Sequence, residues 1–355
     1  MIRRLNYYMK RFIIFLAIAA LTAGMAGCSL FGPRTIEIRN WNDLNAVRNN
    51  LRGSYILMND LDSTTAGYQE LAGPTANEGK GWQPIGNSQN LFAGTFDGRA
   101  YEIRDLFSNR PGEMHVGLFG VVSEKGVIGN IGVANATLTG YGGVGALVGD
   151  NEGTVSNSYS SGSMNGIGWI GGLMGVNLGS VSKCYSIGSV SGDERVGGLV
   201  GWNEASSVSD SYSTGSVTGR YSVGGLVGAS SGTVSNCHST GSVTGDENVG
   251  GLVGENVNTV SSSYSTGSVA GNSTVGGLVG RNTGAVTDSF WDISTSGQAT
   301  SAGGTGRTTG EMKAIATFTG AGWNIVAVDS LSERNPTYVW NILNGLSYPF
   351  LSWQA

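Results

Sequence analysis

A five-residue core, Gly-Gly-Leu-Val-Gly in its commonest form, recurs at nearly constant spacing and constrains the fold more than any other feature of this chain. Its copies begin at Gly145, Gly171, Gly197, Gly224, Gly250 and Gly276, in steps of 26, 26, 27, 26 and 26 residues. A diverged copy, Val116-Gly117-Leu118-Phe119-Gly120, precedes them. Self-similarity at such a period marks a repeat architecture, in which one unit cannot bury its own apolar face and stacked units share a core. Each core is followed by a run such as Thr233-Val234-Ser235-Asn236-Cys237-His238-Ser239-Thr240-Gly241-Ser242-Val243. Short β-branched segments broken by Gly and Asn suit strands and corners. Residues 140–290 show no sustained helical period, which excludes a helical solenoid. The expected fold is all-β: a right-handed parallel β-helix of about 26 residues per coil, its coils stacked at ~4.8 Å.

Stacking places equivalent residues above one another. Leu147, Leu173, Leu199, Leu226, Leu252 and Leu278 then form one core ladder, and Val155, Val181, Val208, Val234, Val260 and Val286 a second. Asn151, Asn177, Asn203, Asn256 and Asn282, broken once by Ser230, form a third. Asn tolerates left-handed dihedrals at a corner, and stacked amides bond along the axis. The glycines are expected to supply positive φ and room for close approach.

The ends must differ from the repeats, because open sheet edges recruit other strands. Asn42 to Leu51 reads as a short capping helix with Asn42 as N-cap and Leu44, Val47 and Leu51 on one face. Thr308 and Glu311 have capping-box spacing ahead of Met312–Ala316. Trp323 to Trp353 carries three of the eight Trp and is expected to pack over the last coil as a mixed C-terminal cap.

Residues 1–27 are read as an export signal. Arg3, Arg4, Lys10 and Arg11 form a basic region, and Phe12 to Ala20 an apolar core too short to span a bilayer. Met25-Ala26-Gly27-Cys28 resembles a lipobox, in which Cys28 is lipidated and becomes the new N-terminus. Met25 stands where Leu is usual. Ser29 after the Cys resembles outer-membrane sorting. The expected organisation is a signal over 1–27, a linker over 28–35, an N-terminal cap and first coils over 36–115, repeats over 116–290 and a C-terminal cap over 291–355. Removal of the signal lowers the basic count from 20 to 16 against 25 acidic residues, a net charge of −9. Such a surface gives no reason to expect nucleic acid. Acyl chains on Cys28 would make the membrane a partner, and the localisation expected is the cell envelope, at the outer membrane or cell surface.

The Gly-Gly-Leu-Val-Gly cores with their Ser-Tyr-Ser-Thr-Gly-Ser-Val partners resemble the GLUG motif, a repeat of bacterial surface proteins. Tyr55–Asp62, Trp82–Gly86 and Gly94–Gly98 look like its N-terminal lead-in, and Ser289–Asp292 and Tyr348–Trp353 like its exit. The resemblance implies a surface or secreted β-helix and says little of activity, since fold does not fix function. GLUG repeats also accompany zinc-dependent IgA peptidases. That chemistry needs His-Glu-x-x-His on a helix. The two histidines here, His115 and His238, stand 123 residues apart, so the motif is absent. No metal and no cofactor is expected.

Cys184 and Cys237 share one repeat position two coils apart. Stacking separates them by ~9.6 Å, beyond the ~7 Å that a disulfide tolerates, so free thiols are expected. Asp193, Glu194, Arg220, Asp246 and Glu247 occupy the variable corner before three successive cores and would stack as acid, base, acid. A carbohydrate-active enzyme needs convergent carboxylates on one face, and this corner is the nearest candidate; alternating surface charge is the plainer reading. Tyr159, Tyr185, Tyr212, His238, Tyr264 and Phe290 share another position. With the preceding Ser or Cys pointing inward, strand alternation turns these rings outward. An exposed row would stack on sugars or anchor a protein; a self-packed ladder would only stabilise the coils.

The function expected is therefore non-enzymatic: a surface-anchored β-helix for adhesion, ligand binding (glycan, or host or envelope protein) or envelope architecture, with no catalytic residue assigned. The alternatives are a polysaccharide lyase or hydrolase on a β-helix, and a structural spacer without ligand.

Overall fold

The computed structural model describes residues 35–354. The export signal expected over 1–27 and the lipidation expected at Cys28 lie outside the described residues. Within them the chain winds as a parallel β-solenoid, each strand pairing in parallel with its equivalent one repeat away, as in Val181 with Val208 and Val208 with Val234. One face is a ten-stranded sheet running from Thr35–Ile38 to Ala285–Thr287. A second is a seven-stranded sheet from Phe119–Val122 to Val279–Asn282. Short strands such as Tyr212–Ser213, Val217–Thr218 and Tyr221–Gly224 stack coil upon coil along the remaining side.

The Leu ladder is fully buried throughout. The Val ladder is likewise buried from Val155 to Val260 and opens only at Val286, where no further coil covers it. Parallel stacking satisfies the backbone between coils, so a coil needs only one or two apolar side chains per strand to fill its interior. Asn177 shows how a corner is held. Its amide donates to Asn203 Oδ1 at 2.9 Å and its own Oδ1 accepts from Asn151 at 2.9 Å. Ser230 continues this ladder by accepting from Asn203 at 3.1 Å.

The left-handed positions are not where the sequence suggests. The ladder asparagines and the core glycines are absent from the positive-φ residues between Gly145 and Asp288. Two other positions in each coil turn the chain: Asn157, Lys183, Asp210, Asn236, Ser262 and Asp288 after one strand, and Trp169, Arg195, Ser222, Asn248 and Thr274 before the core. The core glycines serve close approach instead. A Cβ on Gly197 would overlap the Val200 carbonyl, one on Gly198 the Gly225 carbonyl and the Ser213 hydroxyl, and one on Gly201 the backbone of Trp169–Ile170. The motif is thus steric: three glycines per coil let backbone lie on backbone.

Both ends are closed by non-repeating structure. The N-terminal helix spans Trp41–Ala46 and buries Trp41 and Leu44. Its N-cap is Asn40 rather than Asn42, because the Asn40 side chain accepts from the Asp43 amide at 2.9 Å. Val47 is buried in the following 3-10 turn. At the other end Thr308 and Glu311 form the capping box of a short helix, Thr309–Met312.

The C-terminal segment departs from expectation in direction. It does not stop over the last coil but runs back along the flank. Helix Ile315–Thr319 and a three-stranded sheet (Ile325–Ala327, Trp340–Ile342, Phe350–Leu351) form a second apolar cluster with Tyr212, Tyr264 and Phe290. Asp292 fastens its start. This buried carboxylate accepts from the amides of Ser294 and Thr295 and from the hydroxyls of Thr309 and Tyr348, both at 2.7 Å. Burial pushes its pKa up, but the four hydrogen bonds outweigh burial and leave it below the ordinary value.

Candidate functional site

The aromatic row exists as a continuous stack. Tyr159, Tyr185, Tyr212, His238 and Tyr264 lie ring on ring at 4.8, 4.9, 4.9 and 5.0 Å, nearly parallel. The rings do face away from the coil interior, since Cys184 and Cys237 on the adjoining positions are buried within it. Of the two readings of this row, the packed ladder holds for most of it, and the rings are covered from outside the repeat. Trp353 covers Tyr185 and Tyr212, Trp340 covers His238 and Tyr264, and Trp323 covers Tyr264 and Phe290. Tyr212, His238 and Tyr264 are left 7%, 2% and 2% exposed. The row is stabilised by covering large apolar rings that strand alternation pushes out of the core. Only Tyr159 and Tyr185 remain half-buried, and the Tyr159 hydroxyl is engaged by Glu102.

The charged corner stacks as acid, base, acid. Arg220 reaches Asp193 at 3.2 Å and Asp246 at 3.6 Å, and its guanidinium lies 5.0 Å from the Tyr221 ring. Glu194, Tyr221 and Glu247 follow in register beside it. Arg220 and Asp246 are more than half exposed, so the pairs are screened by water and add little to stability. The geometry is that of alternating surface charge. The two thiols are free, buried and two coils apart; burial pushes the Cys184 thiol up to about 12.

A different surface carries the side chains that break the repeat. The left-handed corner residue of one coil leans over the last core glycine of the next, beside the residue that follows that glycine. His115 meets Asp150 in this way, Trp169 meets Trp202, and Ser222 meets Glu255. Trp169 and Trp202 are half-buried, with ring centroids 5.7 Å apart, and the Arg195 guanidinium lies 5.0 Å from the Trp202 ring. Tyr141 and Ile167, at the corner just before, are 50% and 48% exposed and bonded backbone to backbone. Equivalent positions elsewhere hold Gly143, Ser222 and Asn248 at the corner and Val176 and Ala229 on the strand. Sequence reasoning missed this cluster because it searched for what the repeats share. The signal lay in the columns that vary most.

At the N-terminal end of the same surface, His115 Nδ1 stands 3.8 Å from Asp150 Oδ2, too far for a hydrogen bond. His115 Nδ1 and Asp150 Oδ1 are both buried without a partner. Burial lowers the His115 pKa. Burial, with Glu152 and Glu204 nearby, pushes the Asp150 carboxyl up to about 6. An open cleft of about 340 Å³ adjoins His115, lined also by Gln83, Asn87, Glu113 and Met114. Among the described residues no group of His, Cys, Asp and Glu is arranged to hold a metal ion.

Residues 192–218 and 219–244 each match the family described as "The GLUG motif", so the chain carries GLUG repeats in tandem. A "Putative Gly-rich membrane protein" of Evansella cellulosilytica is 34% identical over 169 residues, covering 44% of this chain and 19% of that protein. "Halomucin" of Haloquadratum walsbyi is 35% identical over 133 residues, covering 36% of this chain and 1% of that protein. The chain therefore spans under a fifth of the length of the curated relatives it matches. A crystal structure titled as a putative immunoglobulin A1 protease from Bacteroides ovatus shares the fold, at 20% identity and a TM-score of 0.54 over 90% of this chain and 92% of that one.

Proposed function

We propose that this tandem GLUG-repeat β-helix is a non-enzymatic binding scaffold of the cell envelope, held there by lipid on Cys28. It serves in adhesion or ligand capture. The observation that carries the binding role is the half-buried Trp169–Trp202 pair, set with Arg195, Tyr141 and Ile167 on an otherwise regular solenoid. Structural positions of a solenoid repeat, so a local aromatic departure on its surface points to a partner rather than to the fold. The names of two relatives, "Putative Gly-rich membrane protein" and "Halomucin", support an envelope location.

The test is a glycan and host-protein binding screen with residues 29–355, which contain the whole compact unit beginning at Thr35, with polysaccharide cleavage followed in parallel. Binding without cleavage is the expected result. Silence across the screen would favour a spacer, and cleavage an enzyme. One observation favours the enzymatic reading: His115 lines a cleft with Asp150 3.8 Å from it, and each carries an unpartnered buried polar atom, as an acid–base pair would. If cleavage is seen, loss of it in His115→Ala and Asp150→Asn would place the chemistry there.

A further inference from the structure

We infer that the Trp169–Trp202–Arg195 cluster takes a carboxylated sugar, with the indoles packing on the sugar's C–H faces and the Arg195 guanidinium gripping its carboxylate. This inference rests on the binding role proposed above and names the ligand class.

Three features of the cluster point the same way. The first is aromatic area: two neighbouring indoles, centroids 5.7 Å apart and tilted by 31°, with Tyr141 and Ile167 exposed at the preceding corner, supply apolar area of the kind that packs on pyranose rings. The second is charge. Arg195 forms no ion pair among the described residues, although Glu194 precedes it and Glu204 lies two residues beyond Trp202; its guanidinium lies 5.0 Å from the Trp202 ring. By contrast Arg220 and Arg281 are each claimed by a carboxylate at 3.2 and 2.9 Å. A guanidinium held against an indole keeps its planar fork of donors for a ligand, and that fork matches a carboxylate bidentately. On a chain that is net acidic, an unclaimed cation set among aromatics selects an anion.

The third is backbone conformation. Trp169 has φ of +60° and Arg195 of +52°, a region that bulky side chains rarely adopt. Gly143, Ser222, Asn248 and Thr274 hold the same corner in other coils, all of them smaller than Trp or Arg. The corner thus carries a bulky ring where other coils manage with a small side chain or none. A bulky side chain kept at this half-buried corner despite the strain points to a use for it.

The repeat supplies its own conservative variants. Trp169→Asn, Trp202→Ala and Arg195→Ser each install a residue that another coil already carries at that position, namely Asn248, Ala229 and Ser222. The experiment is titration calorimetry of the same 29–355 protein with oligogalacturonate and oligoalginate, each against its methyl-esterified counterpart, with thermal unfolding of every variant recorded alongside. Wild type is expected to bind at least one acid form and to prefer it tenfold or more over the ester. Arg195→Ser should abolish that preference, and Trp169→Asn and Trp202→Ala should weaken binding of acid and ester together, all with an unchanged melting temperature. Equal affinity for acid and ester, or an unchanged preference in Arg195→Ser, would overturn the carboxylate assignment while leaving the glycan-binding role intact. No binding of any acidic oligosaccharide would overturn the inference itself. So would capture of a host protein that Trp169→Asn abolishes, because the patch would then serve a protein partner.

Discussion

The rings of Tyr185 and Trp353 meet at 6.3 Å, although Tyr185 stands four coils before Phe290, the last ring of its row. That contact marks how far the C-terminal segment runs back along the solenoid. It turns a row of outward rings into a second core, built from Tyr212, Tyr264 and Phe290 on one side and Trp323, Trp340 and Leu351 on the other. The solenoid is therefore braced from the coil of Tyr185 to that of Phe290 by a segment outside the repeat.

Trp340 is the centre of that brace. It is fully buried, 5.8 Å from His238 and 5.8 Å from Tyr264. Trp340→Ala is expected to destabilise the protein by about 3–5 kcal/mol, the usual cost of deleting a buried aromatic. Urea unfolding followed by Trp fluorescence measures it. A change under about 1 kcal/mol would mean that the segment is not seated on the row.

The two roles of glycine separate cleanly in a pair of substitutions. Gly225→Ala would drive a methyl into the Gly251 carbonyl and the Ser239 hydroxyl, so a loss of about 1–3 kcal/mol or more is expected. Gly310 lies inside the helix Thr309–Met312 with open space where a Cβ would stand. Gly310→Ala should instead raise stability by up to about 1 kcal/mol. Both shifts are read from thermal melts of the two variants.

Much of the solenoid was legible because period is a property of sequence. The Leu and Val ladders, the stacked Asn amides and the Asp193–Arg220–Asp246 corner all follow once equivalent residues are placed above one another. The left-handed corners were not legible. Composition directs attention to Gly, while the coil puts Lys183, Arg195 and Trp169 at positive φ because its crossings demand the glycines for close approach. The cover over His238 and Tyr264 was also hidden. Trp323, Trp340 and Trp353 belong to no repeat, so nothing in their spacing tells which coil each will meet. Trp169 and Trp202 are 33 residues apart, a separation that only the stacked geometry turns into a contact.

Cys184 and Cys237 replace the serine of an inward ladder. Ser211 donates to the Ser209 carbonyl at 2.6 Å and accepts from the Cys184 amide at 3.1 Å, and Ser263 accepts from the Cys237 amide at 3.0 Å. A hydroxyl therefore already fits this position. Cys184→Ser is expected to change stability by less than about 1 kcal/mol. Native protein should resist thiol reagents, because both sulfurs are buried and burial holds the thiolate form off. Titration in denaturant should then release both thiols. Rapid labelling of the native protein would place the coil boundary elsewhere.

His238 gives the row a dependence on pH. It is stacked between Tyr212 and Tyr264 under Trp340, and burial pushes its pKa down to about 3 from the ordinary 6.5. Between those values the unfolded chain binds a proton that the folded chain refuses, so acid favours unfolding. The contribution of neutral His238 is intact above pH 6.5 and is lost progressively as pH falls toward 3, at a limiting slope of about 1.4 kcal/mol per pH unit. His238→Phe keeps a ring in the stack and removes the proton-binding group. Urea midpoints of wild type and His238→Phe at pH 7, 6, 5 and 4 should therefore diverge downward through this range, wild type losing stability faster. Parallel profiles would show that His238 takes up its proton in the folded state, which requires the Trp340 cover to open without the solenoid unwinding.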